Sequence, residues 1–179
     1  MDYLKIINRY YGEELTPLKE ILLIHSRAVA RKAVNIALAH PELGADVTFV
    51  EEAAMLHDIG ILHTHAPGIC CMGTEPYIRH GILGAEMLRK EGFDRHALVC
   101  ERHTGAGISL RDIERQQLPL PHANFLPVSI EEQMICYADK FFSKTRLEEE
   151  KTVSQAIRSL SKFGDEGLAR FEKWVDMFE

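Results

Sequence analysis

The stretch MLHDIG, residues 55–60, places a histidine and an aspartate side by side, His57 and Asp58, at the end of an apolar helical run. Four further residues of metal-binding type bracket this doublet at separations suited to different helices: His25, His80, His103 and Asp139. Four imidazoles and two carboxylates exceed the needs of one tetrahedral zinc and suit a pair of first-row divalent ions. The chain therefore reads as an all-α protein built around a binuclear metal cleft.

Working outward, helical periodicity dominates and strand-like alternation is almost absent. Thr16-Pro17 supplies an N-cap and first-turn pair, after which Leu18, Ile21, Leu22, Val29, Ala33, Ile36 and Ala37 line one long helix until His40-Pro41 stops it. His25 lies inside that helix. Thr48 and Glu51 form a capping-box pattern, so FVEEAAMLHD is expected to be helical and to end near Gly60, with His57 and Asp58 in its last turn. The following ILHTHAPGICCMGTEP, residues 61–76, reads as a long functional loop.

Helical spacing resumes in YIRHGILGAEMLRKEGF. There Gly81 and Gly84 thin one side at a cost of about 1 kcal/mol each, which points to close approach by another helix or by substrate. A shorter helix is expected from Asp94, with His103 near its end, and another from Ser109. QQLPLPHANFLP is a loop by its three prolines and a second candidate wall for a pocket. Ser129 and Glu132 repeat the capping-box pattern and open IEEQMICYADKFFSKT, with Asp139 well inside the helix. From Val153 onward one or two amphipathic helices are expected, interrupted around Gly164 and Gly167.

The chain has 179 residues, 46% of them hydrophobic, which is ordinary for one domain able to bury a core without staples. A single domain over residues 1–179 is expected, with its core at about 16–144 and a C-terminal helical extension at 150–179. A net charge of −6 argues against a broad cationic surface for duplex nucleic acid. Cys70, Cys71, Cys100 and Cys136 show no C-x-x-C spacing and read as free thiols of a cytoplasmic protein. MDYLKIINRYYGEEL has charges within its apolar residues, and no apolar run approaches the roughly 18 residues of a membrane span, so neither export nor a membrane is expected. Oligomeric state is left open.

Taken alone, His25 reads as a hydrogen-bonded core histidine and Asp139 as a cap or a partner for an arginine. The ordered set outweighs those readings. HSRAVARKA around His25, AAMLHDIG, IRHGILGAEML around His80, ERHTGAGIS around His103 and YADKFFSK around Asp139 together resemble the HD superfamily of metal-dependent phosphohydrolases, in its HDIG-bearing branch. The similarity runs from about Thr16 to Lys144. It implies a single-domain helical bundle of about six to eight helices. It also implies that Asp58 bridges two metals, with His25, His57 and Asp139 on one side and His80 and His103 on the other.

On that resemblance, two divalent ions contribute about +4, two aspartates −2 and a bridging hydroxide −1, leaving roughly +1 to attract a phosphate. Paired metals lower the pKa of a shared water and hold phosphoryl oxygens during attack on phosphorus. The expected activity is hydrolysis of a phosphate ester or phosphoanhydride in a small nucleotide-like molecule, with Asp58 central to it. Arg79, Arg102, Lys140 and Lys144 are the candidate phosphate contacts. His63 and His65, just past HDIG, are candidate proton donors, while His40, His96 and His122 read as exposed and without a role. Imidazole-rich ligation favours iron, cobalt, nickel or zinc over magnesium, and manganese fits a carboxylate bridge; iron and manganese are named first.

In the cyclic-dinucleotide branch a lysine follows HDIG and a GYP signature occurs. Here Ile61 and Leu62 follow and GYP is absent, against that substrate. HTGAG and ADK are similar to strings of a bacterial branch that hydrolyses diadenosine tetraphosphate at a di-iron site. Mixed-valent di-iron oxygenases of the superfamily share the ligand order and stand as the alternative enzyme. A non-catalytic nucleotide-binding module is the third reading.

Overall fold

The structure is a computed structural model and describes residues 1–161 and 164–179. The long helix expected after Thr16 is α2, Pro17–Ala39, whose Thr16 hydroxyl caps the Lys19 N–H and whose end falls at His40. Ahead of it lies α1, Tyr3–Tyr11, a helix the sequence reading left out; it buries Ile6, Ile7 and Tyr11. The Tyr11 hydroxyl donates to the Ile59 carbonyl at 2.9 Å, which ties α1 to the turn that carries the metal-type doublet.

The doublet's helix, α3, runs Val47–Leu56, and its N-cap is Asp46, which accepts from the Phe49 N–H; Thr48 does not serve as the cap. The helix stops one residue before the doublet. His57 is its C-cap, and Asp58 begins a 3₁₀ turn over Ile59–His63. The expected loop beyond is partly ordered into three strands, β1 (Thr64–Ala66), β2 (Cys71–Met72) and β3 (Glu75–Pro76), in the order β2-β1-β3. β1 pairs antiparallel with β2 and parallel with β3. Strands of two or three residues are too short for alternation to announce them.

Next come α4 (His80–Lys90), α5 (Asp94–Arg102) and the short α6 (Leu110–Gln116), which Ser109 and Asp112 open as a reciprocal capping box. α7 spans Ile130–Asp139, so Asp139 is its last residue rather than an interior one. Ser129 caps it, but the Glu132 carboxylate turns to the Val128 N–H and to Arg102, so the expected box is half made. Instead of continuing as helix, YADKFFSKT turns into an antiparallel hairpin of β4 (Phe142–Ser143) and β5 (Arg146–Glu150). α8 (Val153–Leu160) and α9 (Asp165–Phe178) close the chain; of the expected interruption, residues 162–163 lie outside the described residues, Gly164 precedes α9 and Gly167 is within it.

Among the described residues there are nine α-helices, and none is long and apolar enough to cross a membrane. The main hydrophobic core is shared by α1 through α5 and by α7, α8 and α9. α9 sends Phe171, Trp174 and Phe178 inward, and Phe171 stacks on Tyr137 of α7 with ring centroids 5.0 Å apart. A smaller cluster of Ile113, Leu120 and Phe125 stands apart beneath α6 and the proline loop.

The glycines of α4 serve helix approach, as their spacing implies. A methyl group on Gly81 would stand 2.5 Å from the Cys100 carbonyl oxygen of α5. On the facing turn, a methyl on Gly60 would stand 2.1 Å from the His80 carbonyl oxygen and 2.3 Å from the Gly84 nitrogen. Those are backbone atoms and cannot swing aside. Gly60→Ala is expected to cost roughly 2–3 kcal/mol by overpacking, a fall of about 5–10 °C in thermal midpoint. An unchanged midpoint would show that α4 and the turn separate freely.

His96 departs from its reading as an exposed histidine: it is buried, edge-on to Phe49 and Phe93. Burial, and then the Arg95 charge, push its imidazole down to about 4; the Glu52 carboxylate at 3.4 Å is too long a contact to reverse that. The unfolded chain, with an imidazole near pH 6.5, then binds the proton first, so His96 contributes stability above about pH 6.5 that is lost as pH falls towards 4. Replacing His96 with Phe should shrink the drop in thermal midpoint between pH 7.5 and 5 by roughly 2–4 °C, and an equal drop in both proteins would refute the assignment.

Candidate metal centre

Asp58 is wholly buried, and its two oxygens face different sets of imidazoles. Oδ2 lies 3.1 Å from His25 Nε2 and 3.1 Å from His57 Nε2. Oδ1 lies 3.4 Å from His80 Nε2 and 3.5 Å from His103 Nε2. Asp139 joins the first set, its Oδ1 3.0 Å from His25 Nε2 and 3.5 Å from His57 Nε2. The six residues thus form two buried groups that share Asp58: His25, His57, Asp58 and Asp139 in one, Asp58, His80 and His103 in the other. They are gathered from α2, the end of α3, the start of α4, the end of α5 and the end of α7.

Three of the imidazoles are aimed by the backbone of their own helical turn. Nδ1 of His57, His80 and His103 lies 2.6–2.7 Å from the carbonyl oxygens of Ala54, Tyr77 and Cys100, each three residues earlier. A carbonyl only accepts, so each Nδ1 carries the hydrogen and each Nε2 points inward, with a lone pair wherever the ring is neutral. His80 Nε2 and His103 Nε2 stand 3.1 Å apart; two lone pairs at that distance repel unless a cation lies between or beside them. His57 Nε2 and both Asp58 oxygens are buried without a well-formed hydrogen bond. Buried polar atoms left this way are costly, and the donor set of nitrogen and carboxylate oxygen is the one that divalent first-row ions satisfy. The residues fit a metal pair.

The electrostatics agree. Burial works against charge on His57, but Asp58 and Asp139 outweigh it and push the imidazole up to about 9. Burial, and then His103 and Lys144, push His80 down to about 3 against the pull of Asp58. Burial opposes the charges of both aspartates, yet Lys144 and His57 hold Asp58, and Lys140 and His25 hold Asp139, well below the usual carboxylate range. At His57 a proton occupies the place a cation would take, while His80 and His103 are held towards the neutral form that ligates a metal.

A cleft of about 840 Å³ opens at this cluster. Thr104, Gly105, Ala106 and Gly107 of the HTGAG turn form one wall, and both long loops contribute to the cleft through Ala66, Gly68, Ile69 and Leu118. Gly107 has φ of +85°, and a side chain there would strike Pro127. Arg170 of α9 donates to the Ala106 carbonyl, and burial pushes the Cys136 thiol up to about 12, so that it donates to the carbonyls of His103 and Gly105. The turn is thereby braced from α7 and α9.

Of the other candidate residues, Lys140 and Lys144 line the cleft. Lys140 Nζ is 2.6 Å from Asp139 Oδ2 and Lys144 Nζ 2.5 Å from Asp58 Oδ2. Burial opposes the Lys144 charge, but Asp58, Tyr77 and Asp139 hold its ammonium far above the ordinary value. Arg79 and Arg102 are not in the cleft wall. Arg79 pairs with Glu75 at 2.9 Å, and Arg102 pairs with Glu132 at 3.2 Å. His63 is exposed and lines a separate hollow with Glu86 and Lys90, and His65 is exposed on β1, between the buried Thr64 and the cleft-lining Ala66. Neither histidine reaches the cluster. The sequence reading missed Tyr77, whose ring stacks on His80 at 4.7 Å and lines the cleft; only its position three residues before His80 could have pointed to it.

Fold and site together define a helical domain organised by a paired His/Asp cluster able to hold divalent cations. The chain belongs to the HD domain family, whose model matches residues 22–144, and whose members are generally metal-dependent phosphohydrolases. It is 37% identical over 147 residues to an uncharacterized protein of Methanocaldococcus jannaschii, covering 80% of this chain and 79% of that one. It is 33% identical over 158 residues to a tRNA (cytidine(56)-2′-O)-methyltransferase of Thermoplasma volcanium, covering 87% of this chain and 42% of that protein. With the Picrophilus torridus protein of the same name the identity is 35% over 129 residues, 72% and 33% of the two chains. The match thus spans less than half of either methyltransferase. No solved structure matches the chain.

Elemental analysis of anaerobically purified protein should find about two divalent metals per chain. Asp139→Ala is expected to lower that to about one, and Asp58→Ala to remove most of both while circular dichroism stays helical. Full occupancy in Asp58→Ala would refute the shared-carboxylate arrangement.

Proposed function

We propose that this protein is a metal-dependent phosphohydrolase that cleaves a phosphate ester or phosphoanhydride of a small nucleotide-like compound. The observation that carries the reading is the placement of two cleft lysines, Lys140 and Lys144, directly against the two carboxylates of the cluster. Cations on both the floor and the wall of a cleft suit a phosphoryl group, whose charge is spread over several oxygens. A volume of about 840 Å³ is that of a small-molecule site. Part of its lining is apolar, through Ile69, Ile78, Ile108 and Leu118, and suits a base or another uncharged body.

His25, His57, Asp58 and Asp139 would hold one cation, and Asp58, His80 and His103 the other. When bound, such a pair supplies Lewis acidity, lowering the pKa of water and polarising phosphoryl oxygens. Lys144 and Lys140 orient the phosphoryl group and offset its charge. The HTGAG turn lets substrate approach the backbone closely. Water serves as the nucleophile in this reading. Water adds to phosphorus and gives a proton to solvent, the bond to the leaving oxygen breaks, and that oxygen takes a proton from solvent in the open cleft, since His63 and His65 do not reach it.

The likeness to part of two tRNA methyltransferases brings RNA into view as a source of phosphate esters. The net charge of −6 and the size of the cleft favour a small compound over a folded RNA. We name iron or manganese as the metal and expect a cytoplasmic protein.

Protein loaded with iron or with manganese should release phosphate from members of a nucleotide panel under argon as fast as in air. Lys144→Ala is expected to lower kcat/KM roughly 10–100-fold. Absence of phosphate release, with oxygen uptake on adding a panel member to the ferrous protein, would replace the hydrolase with a di-iron oxygenase. Binding of a nucleotide without turnover of any kind would leave a binding module.

A further inference from the structure

Lys151 is a cation of the cleft to which nothing above gives a role. It follows β5 directly, and the hairpin returns it to the start of its own strand pair: its N–H donates to the Phe141 carbonyl at 2.8 Å and its Nζ to the Lys140 carbonyl at 3.2 Å. The hairpin therefore brings three ammonium groups to one wall, Lys144 at the tip and Lys140 and Lys151 at the base, all lining the cleft. Lys140 and Lys144 are matched one to one by Asp139 and Asp58. Lys151 is not matched. The acidic residues just before it are turned elsewhere, Glu150 to Lys32 at 3.1 Å and Glu149 to Arg146 at 3.0 Å. Among the described residues no carboxylate lies within ion-pair distance of it.

That arrangement is unfavourable as it stands. Lys151 is half-buried, and burial, then Lys140, push its ammonium down, with Asp139 pulling the other way. An acidic protein with carboxylates to spare could have matched this charge and does not. The unmatched cation faces a cleft whose two other lysines are already engaged at the metal-type carboxylates, so an anion bound to it would be a group beyond the one being attacked.

We propose that Lys151 holds a second phosphoryl group, so that the substrate is a phosphoanhydride, of the nucleoside di- or polyphosphate class, and not a simple monoester. This rests on the phosphohydrolase reading and narrows it. The scissile phosphoryl group lies against the cluster with Lys144 and Lys140, and the next group along the chain meets Lys151. The apolar lining of the cleft takes the uncharged end.

The test measures binding of adenosine monophosphate and of α,β-methylene adenosine diphosphate, which is not cleaved, to manganese-loaded wild type, Lys151→Met and Lys151→Arg. The wild type should prefer the diphosphate by about tenfold or more, the scale of one charge-assisted hydrogen bond. Lys151→Met should abolish most of that preference, and Lys151→Arg should restore it. A structural role for Lys151 would weaken both ligands alike and leave the ratio unchanged. An unchanged ratio in Lys151→Met, or a wild type with no preference, including one that binds neither nucleotide, overturns the proposal. Failure of the underlying hydrolase reading is seen separately, as absence of phosphate release by the wild type from every compound of the panel.

Discussion

Everything in this fold is arranged around the burial of one carboxylate. An aspartate cut off from water is strongly disfavoured unless positive charge meets both of its oxygens. One oxygen of Asp58 meets His25, the charged His57 and Lys144 of the β-hairpin, while the other faces the neutral imidazoles of His80 and His103 and is the one that calls for a metal. The close approaches at Gly60 and Gly81 follow from the same requirement, because α4 and α5 must come near enough to the turn for two imidazoles to reach a single oxygen. Tyr11 secures that turn from the far side through the Ile59 carbonyl.

The six residues of the cluster were readable in sequence because each sits on or at the end of a helix whose period or caps are local properties. His25 follows from the apolar stripe of α2, and the histidines at the ends of α3 and α5 follow from where those helices stop. What could not be read is which charged residues face the cleft. Arg79 and Arg102 lie next to ligands in sequence, but Glu75 and Glu132 claim them. His63 and His65 follow the doublet closely, but the 3₁₀ turn and the first strand carry them outward. Lys144 reaches Asp58 only because the chain folds back in a hairpin after Asp139, where the composition of YADKFFSKT favours continued helix. His96 is buried by Phe93, three residues before it, and by Phe49 of α3, and the second of these is a tertiary contact with no local signature.

The cleft has two chemical ends, and different parts of the chain build them. The cationic end belongs to α7 and the hairpin, while the apolar end is drawn from the turn after β1, the HTGAG turn and the proline loop. The small separate hydrophobic cluster under α6 packs against Ile78, Ile108 and Leu118 of the apolar lining. The helices can therefore keep the cluster constant while the loops alter what is accommodated beyond it.

The backbone carbonyls that fix Nδ1 of His57, His80 and His103 carry a consequence for how the protein meets its metals. Each of these imidazoles is oriented by its own helical turn and not by the ion, so the cradle stands ready before anything enters it. A preformed nitrogen-rich cradle welcomes neighbours in the first transition series with little regard for radius, and raw affinity across that series favours ions other than iron or manganese. Which element fills it is then settled by supply, so the same polypeptide harvested from cells with different trace-metal stores would emerge as different holoproteins.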